Sequence, residues 1–203
     1  GRSATGNHGL RQANGRWCLF LDDDDLLFAD HVEVLVNTML TETQSRAAYT
    51  LAWEVPTDSS QLAQGSYREM TYQVPTPLRQ IFDYDVLRHH NFMPIQAVLF
   101  ERSLYLERGG FDEDMDALED WTLWVRYAHK NEFTYVPKLT SLFRVPENAE
   151  QTRQRSEIFA AAYPLALTRN SVRTEAIDAL LTSVSDAAKT ISDDSADQRE
   201  RSL

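Results

Sequence analysis

Apolar residues along the chain fall into short strand-like runs and longer helical stripes. "WCLFL", Trp17 to Leu21, is a continuous apolar run of strand length and predicts a strand buried on both faces, as in a parallel sheet. Upstream, "GRSATGNHGLRQANG" is glycine-rich, and only "LRQANG" reads as a short helix, ending at Gly15. Downstream, Val32, Leu35, Val36, Met39 and Leu40 repeat at i, i+3, i+4, i+7 and i+8, which predicts an amphipathic helix that Asp30 can cap. "AAYTLAWEV" (47–55) and "IQAVLFE" (95–101) are strand patterns, joined by a polar connection with "PTP" at 75–77 and a helix near 78–88.

A short helix begun near Ser103 is ended by Gly109 and Gly110. Leu118, Trp121, Trp124, Val125 and Ala128 then form the stripe of another helix, and "FTYV" (133–136) is a last strand. From Glu147 the chain turns polar and helical, with "SEIFAAAYPLALTRN" and "VRTEAIDALLTSVSDAAKTI" as two helices. The tail "SDDSADQRERSL" reads as disordered. The pattern predicts a domain over 1–146, a helical extension over 147–191 and a tail over 192–203. Strands interspersed with helices imply a mixed α/β fold, a sheet covered by helices. No internal repeat is visible.

Composition narrows the function classes. The 203 residues carry 31 acidic against 20 basic groups, a formal charge of −11, which argues against a general grip on nucleic acid or anionic lipid and leaves room for a local basic site. The single cysteine, Cys18, lies within an apolar run; it excludes an intrachain disulfide, suits a reducing compartment and reads as core packing. No apolar run approaches the roughly 18 residues of a membrane span, and the opening residues lack a signal-peptide pattern. A soluble, cytoplasmic chain is expected, and its start reads like the middle of something longer.

Two acidic groups carry the candidate chemistry. Asp22, Asp23, Asp24 and Asp25 follow directly on the predicted strand. A run of charge is commonly a solvated turn. In open α/β sheets, however, ligands bind beyond the carboxyl ends of strands, and adjacent carboxylates repel by about 1 kcal/mol per pair even in water, a cost that a divalent cation removes. Hard oxygen donors suit Mg²⁺ or Mn²⁺, particularly when phosphates complete the shell. Glu119 and Asp120 fall in the first turn of the later helix, where a carboxylate is also favoured by the helix dipole alone. "DEDMDALED" from Asp112 starts like a calcium loop but has Ala117 where the turn needs glycine and Leu123 where a bidentate glutamate is needed.

"GNHGLRQANGRWCLFLDDDD", "MPIQAVLFERSLYLERGGFDE" and "LEDWTLWVR", in that order and spacing, resemble the second half of a family 2 glycosyltransferase with the GT-A fold, over roughly Gly6 to Arg144. The resemblance implies a partial GT-A mixed sheet flanked by helices. It implies a metal-dependent, inverting transfer of a sugar from a nucleotide-diphospho-sugar to an acceptor hydroxyl, such as a cytoplasmic enzyme of surface polysaccharide or glycoconjugate synthesis performs. Asp22 and Asp24 would frame the DxD element that holds Mg²⁺ or Mn²⁺, Asp24 as the more direct ligand, with Asp22 and Asp23 on the diphosphate side. Asn7, Gly9 and Gly15 match the segment that lines the nucleotide. Asp120 matches the catalytic base, with Glu119 beside it. The acceptor would be a saccharide, a lipid-linked species or a protein.

Around these, His89, His90 and Asn91 sit on a loop that can face the acceptor, and Arg144 can reach a phosphate or form a structural ion pair. Trp121 and Trp124 are core by spacing, though either can flank a sugar. The family's opening strand and the unit gripping the nucleotide base have no counterpart here, so an exposed sheet edge, and through it a homodimer, is expected. The alternative reading is a non-catalytic carbohydrate- or protein-binding module on the same fold.

Overall fold

The computed structural model describes residues 1–115 and 117–200, of which 187–200 are described by their backbone. Two long strands, β3 (Ser45–Asp58) and β6 (Glu132–Pro146), run parallel and form the spine of the sheet. β5 (Val98–Glu101) pairs antiparallel with β3, and β1 (Trp17–Leu19) pairs antiparallel with β5. On the other side β2 (Leu26–Leu27) pairs antiparallel with β6, giving the order β1-β5-β3-β6-β2, while β4 (Arg68–Glu69) pairs with the far end of β3.

Alternation along the strands divides the core. Ala47, Tyr49, Val98, Phe100 and Cys18 face one side and pack with Trp124 and Tyr127; Ala48 and Leu99 face the other, against Leu35 and Met39. The second face is covered by α2 (His31–Thr41), whose buried residues are His31, Leu35 and Met39. Val32 and Leu40, at the margins of the expected stripe, are half exposed. The first face is covered by α5 (Glu119–Ala128), which is buried on nearly every side.

Several expectations are corrected. Of "WCLFL" only Trp17–Leu19 form a strand, an antiparallel edge strand of the described sheet, and Leu21 beyond it is 51% exposed; an apolar run shows burial but not the direction of its neighbour. Instead of a short helix at "LRQANG", the glycine-rich opening forms α1 (Arg2–Gln12). Interior glycines cost a helix about 1 kcal/mol each, but tertiary contacts outweigh this here. A Cβ on Gly6 would lie 2.5 Å from the Phe111 ring, Ser3 Oγ donates to the Met115 carbonyl at 3.1 Å, and Asn7 is locked to the Phe111 backbone. The helix near 78–88 is a 3₁₀ turn (Thr76–Arg79) and a single turn, α3 (Tyr84–Leu87), capped by Asp83. The last strand is far longer than "FTYV", because β3 offers it a partner along its whole length.

α4 (Arg102–Arg108) ends at Gly109 with φ 77°. In place of two C-terminal helices there is one, α6 (Ala149–Glu200), continuous through Pro164 and through 192–200, where composition predicts disorder; the last three residues of that tail, 201–203, lie outside the described residues. α6 is pinned to the body by Tyr163 Oη donating to the His89 carbonyl at 2.9 Å, by Arg169 to Asp114 at 2.7 Å, by Arg173 to Asp112, and by Asp178 to His129 at 2.9 Å. No helix among the described residues is long and apolar enough to cross a membrane.

Candidate active site

The sheet order brings the two acidic groups together. β1 ends in a turn in which the Asp25 N–H donates to the Asp22 carbonyl at 3.2 Å, and α5 begins beside it. Asp22, Asp24, Asp25, Glu119 and Asp120 all line one cleft of about 910 Å³. Arg2 spans the two groups: its guanidinium bonds the Asp22 carboxylate and stands 3.3 Å from Glu119. Leu118, just before α5, takes a left-handed conformation, φ 61° and ψ 18°, which costs a branched side chain roughly 1–2 kcal/mol. Such strain clusters where a chain must aim specific groups.

Burial sets the proton affinities. Glu119, 5% exposed, is pushed up to about 7 by burial and by the neighbouring charge of Asp120, with its own backbone N–H and Arg2 pulling the other way. Burial also raises Asp120, against the Trp121 N–H at 2.7 Å and the Asn91 carboxamide at 3.0 Å, both of which favour its ionised form. Asp25 is pushed up to about 7, again by burial first, with the Arg144 N–H at 3.2 Å opposing and Asp24 and Asp22 adding repulsion. Displaced carboxyl groups gathered in a cleft make it the candidate functional site.

The other sequence candidates are spread around this cleft. Gly9 lines an adjoining hollow of about 410 Å³, which shares Arg2, Asp22 and Glu119 with the main cleft. Asn7 is buried beneath it, where its carboxamide donates to the Phe111 carbonyl at 3.0 Å and to Glu113 at 2.8 Å and accepts from the Phe111 N–H at 2.7 Å. Asp23 and Gly15 line neither space. Arg144 pairs with Glu69 at 2.6 Å, bonds the Asp24 carbonyl and lies over the Tyr67 ring, so it braces the acidic loop. Trp121 and Trp124 are core, their indole N–H groups given to the Leu87 and Met93 carbonyls. His90 and Asn91 line the cleft.

Among the described residues no three Asp, Glu, His or Cys side chains form a metal cluster. A hard divalent cation of the Mg²⁺ type needs only one or two carboxylates and leaves the rest of its shell to water and phosphate. Sequence reasoning missed Arg2, the bond from Asn91 to Asp120 and the wall that α6 adds to the cleft. Only the first had a local signal, a lone arginine in an otherwise small-residue segment.

Comparison with known proteins bears on the family and the fold. Residues 1–148 match the model of the family described as glycosyltransferase like family 2, a span that holds both acidic groups. The crystal structure of S. aureus TarS 1–349 is similar with a TM-score of 0.53 and 16% identity, over 85% of this chain and 51% of that one. The crystal structure of S. aureus TarS is similar with a TM-score of 0.52 and 15% identity, over 80% of this chain and 27% of that one. The chain thus spans about half the length of the first and about a quarter of the second. None of the curated proteins compared matches it. With a curled mixed sheet of the GT-A kind and a family match that runs through both acidic groups, the chain belongs to glycosyltransferase-like family 2.

Proposed function

We propose that the cleft transfers a sugar from a nucleotide-diphospho-sugar to an acceptor hydroxyl with inversion at the anomeric carbon. The observation that carries this reading is the convergence of Asp22 and Asp24 with Asp120 in one cleft from segments far apart in the chain. Asp120 takes the acceptor proton as the acceptor oxygen bonds the anomeric carbon. The bond from that carbon to the diphosphate oxygen breaks, and its electron pair leaves with the diphosphate. A carboxylate raised by burial is a stronger base than one in water, and Asn91 and the Trp121 N–H hold it in one orientation. Asp22 and Asp24 would hold Mg²⁺ or Mn²⁺, whose chemistry when bound is to neutralise the departing diphosphate. Arg2 and Glu119 keep the two acidic groups in register. The acidic chain with its one buried thiol suits cytoplasmic work on surface polysaccharide or a glycoconjugate.

Calorimetry with Mn²⁺ and a panel of nucleotide-diphospho-sugars tests the reading. Heat that requires Mn²⁺ and is lost in Asp24→Ala is expected. Diphosphate affinity unaltered in Asp24→Ala at saturating Mn²⁺ overturns the assignment.

A further inference from the structure

The family match ends at residue 148, and α6 begins at Ala149, yet the first turns of α6 form a wall of the same cleft. The residues it contributes include Gln151, Gln154, Arg155, Ile158, Phe159 and Tyr163, spaced so that they share one helical face. The neighbouring stripe holds an ion-pair trio: Arg153 pairs with Glu150 at 2.7 Å and Glu157 at 2.6 Å, and none of the three lines the cleft. The cleft is thus chemically two-sided. Carboxylates occupy the side formed by the Asp22–Asp25 loop and α5, while the α6 side carries aromatic, amide and guanidinium groups.

Phe159 and Tyr163 are 38% and 39% exposed, large fractions for aromatic side chains packed on a folded body. Tyr163 lies flat on the buried Trp121, ring centroids 5.3 Å apart and planes 14° apart, next to Asp120 in sequence. Arg155 lies over the Phe159 ring at 5.1 Å. Partly exposed rings bear the apolar CH face of a sugar, and flanking amide and guanidinium donors match its hydroxyls.

We propose that this face of α6 is the acceptor subsite and that the acceptor it takes is a saccharide. The inference rests on the reading of Asp120 as the base, because a sugar against Phe159 and Tyr163 is held beside that carboxylate. It also assigns acceptor choice to a helix outside the family match, so that donor chemistry and acceptor choice reside in different parts of the chain.

The test is binding of the full 203-residue chain, without donor, to a printed array of defined oligosaccharides. Wild type is expected to retain a subset of glycans. Phe159→Ala and Gln154→Ala, both at exposed helix positions, should lower that signal at least tenfold with the circular dichroism spectrum unchanged. Arg153→Ala, on the adjoining stripe, should leave the signal intact. Wild type that binds no glycan, or Phe159→Ala and Gln154→Ala variants that bind as wild type does, overturns the subsite. The array needs no nucleotide, so its outcome is separate from the Mn²⁺ calorimetry: wild type that gives no Mn²⁺-dependent donor heat yet keeps glycan binding overturns the catalytic reading and supports a saccharide site on α6.

Discussion

The carboxamide of Asn91 donates to Oδ2 of Asp120 at 3.0 Å. This contact joins the loop after α3 to the first turn of α5, and it favours the charged form of a carboxylate that burial drives toward neutrality. Asn91→Ala removes the donor, so the Asp120 pKa should rise further and the acid limb of the kcat/KM profile should move to higher pH. Asp120→Asn keeps the shape and abolishes the base; turnover should drop by roughly 10²- to 10⁴-fold with donor affinity little changed. A pH profile of transfer measured on both variants checks the pair. Unshifted limbs in Asn91→Ala, or activity within about twofold of wild type in Asp120→Asn, would move the base elsewhere.

Asp25 and Glu119 give stability a definite pH dependence. Both carboxyls are raised in the folded chain, from 3.8 and 4.5 to about 7, so between these values the folded state binds more protons than the unfolded one. Their contribution is fully present below about pH 4 and is lost as pH rises through 7. Asp25→Asn, neutral at every pH, should raise Tm at pH 8 by about 2–4 °C, the shift that about 1 kcal/mol produces in a chain of this size, and should match wild type near pH 4. Thermal melts at the two pH values decide it; equal melting temperatures at pH 8 count against the burial argument.

Two glycines should respond oppositely to alanine. At Gly110 a Cβ would collide with the Asn7 side chain, Cγ at 3.0 Å, and Gly110→Ala should destabilise by roughly 1–3 kcal/mol through overpacking. Gly9 sits inside α1 with nothing within 4 Å of its added Cβ, so Gly9→Ala should stabilise by about 0.5–1 kcal/mol. Urea midpoints at constant m-value measure both.

Asp112 is buried and faces Arg126 at 3.7 Å and Arg169 at 3.6 Å, and it bonds Arg173. Asp112→Ala leaves the buried Arg126 without that counter-charge and unfastens α6, at an expected loss of roughly 3–5 kcal/mol. A loss under about 1 kcal/mol in chemical denaturation would show that the remaining bond from Arg126 to the Gly110 carbonyl suffices.

Local pattern made some features legible and left others hidden. The helices over 31–41 and 119–128 were readable from apolar spacing, and Glu119 and Asp120 fall in the first turn as that spacing requires. The sites of β3 and β5 were readable from their apolar, β-branched and aromatic content. Strand direction was not, because Cys18 is equally buried beside a parallel or an antiparallel neighbour. α1 was hidden by Gly6 and Gly9, whose helical cost is offset by contacts with Phe111 and Met115, roughly a hundred residues away. The acidic groups were each visible in sequence, but their meeting, and the bond of Asn91 to Asp120, follow from sheet order. The α6 wall had no local signal, because its face mixes amide, guanidinium, aliphatic and aromatic groups and meets the acidic side only in the folded chain.

The interlock between Asn7 and the Gly110–Glu113 segment also limits how this sequence can recombine. Gly6 must stay small for the Phe111 ring, Gly110 must stay small for Asn7, and Asn7 serves both backbone groups of Phe111. The partners lie 104 positions apart. Chimeras with a relative should therefore fold when a crossover leaves both segments from one parent, and should fail when it falls between them and the incoming segment lacks either small residue.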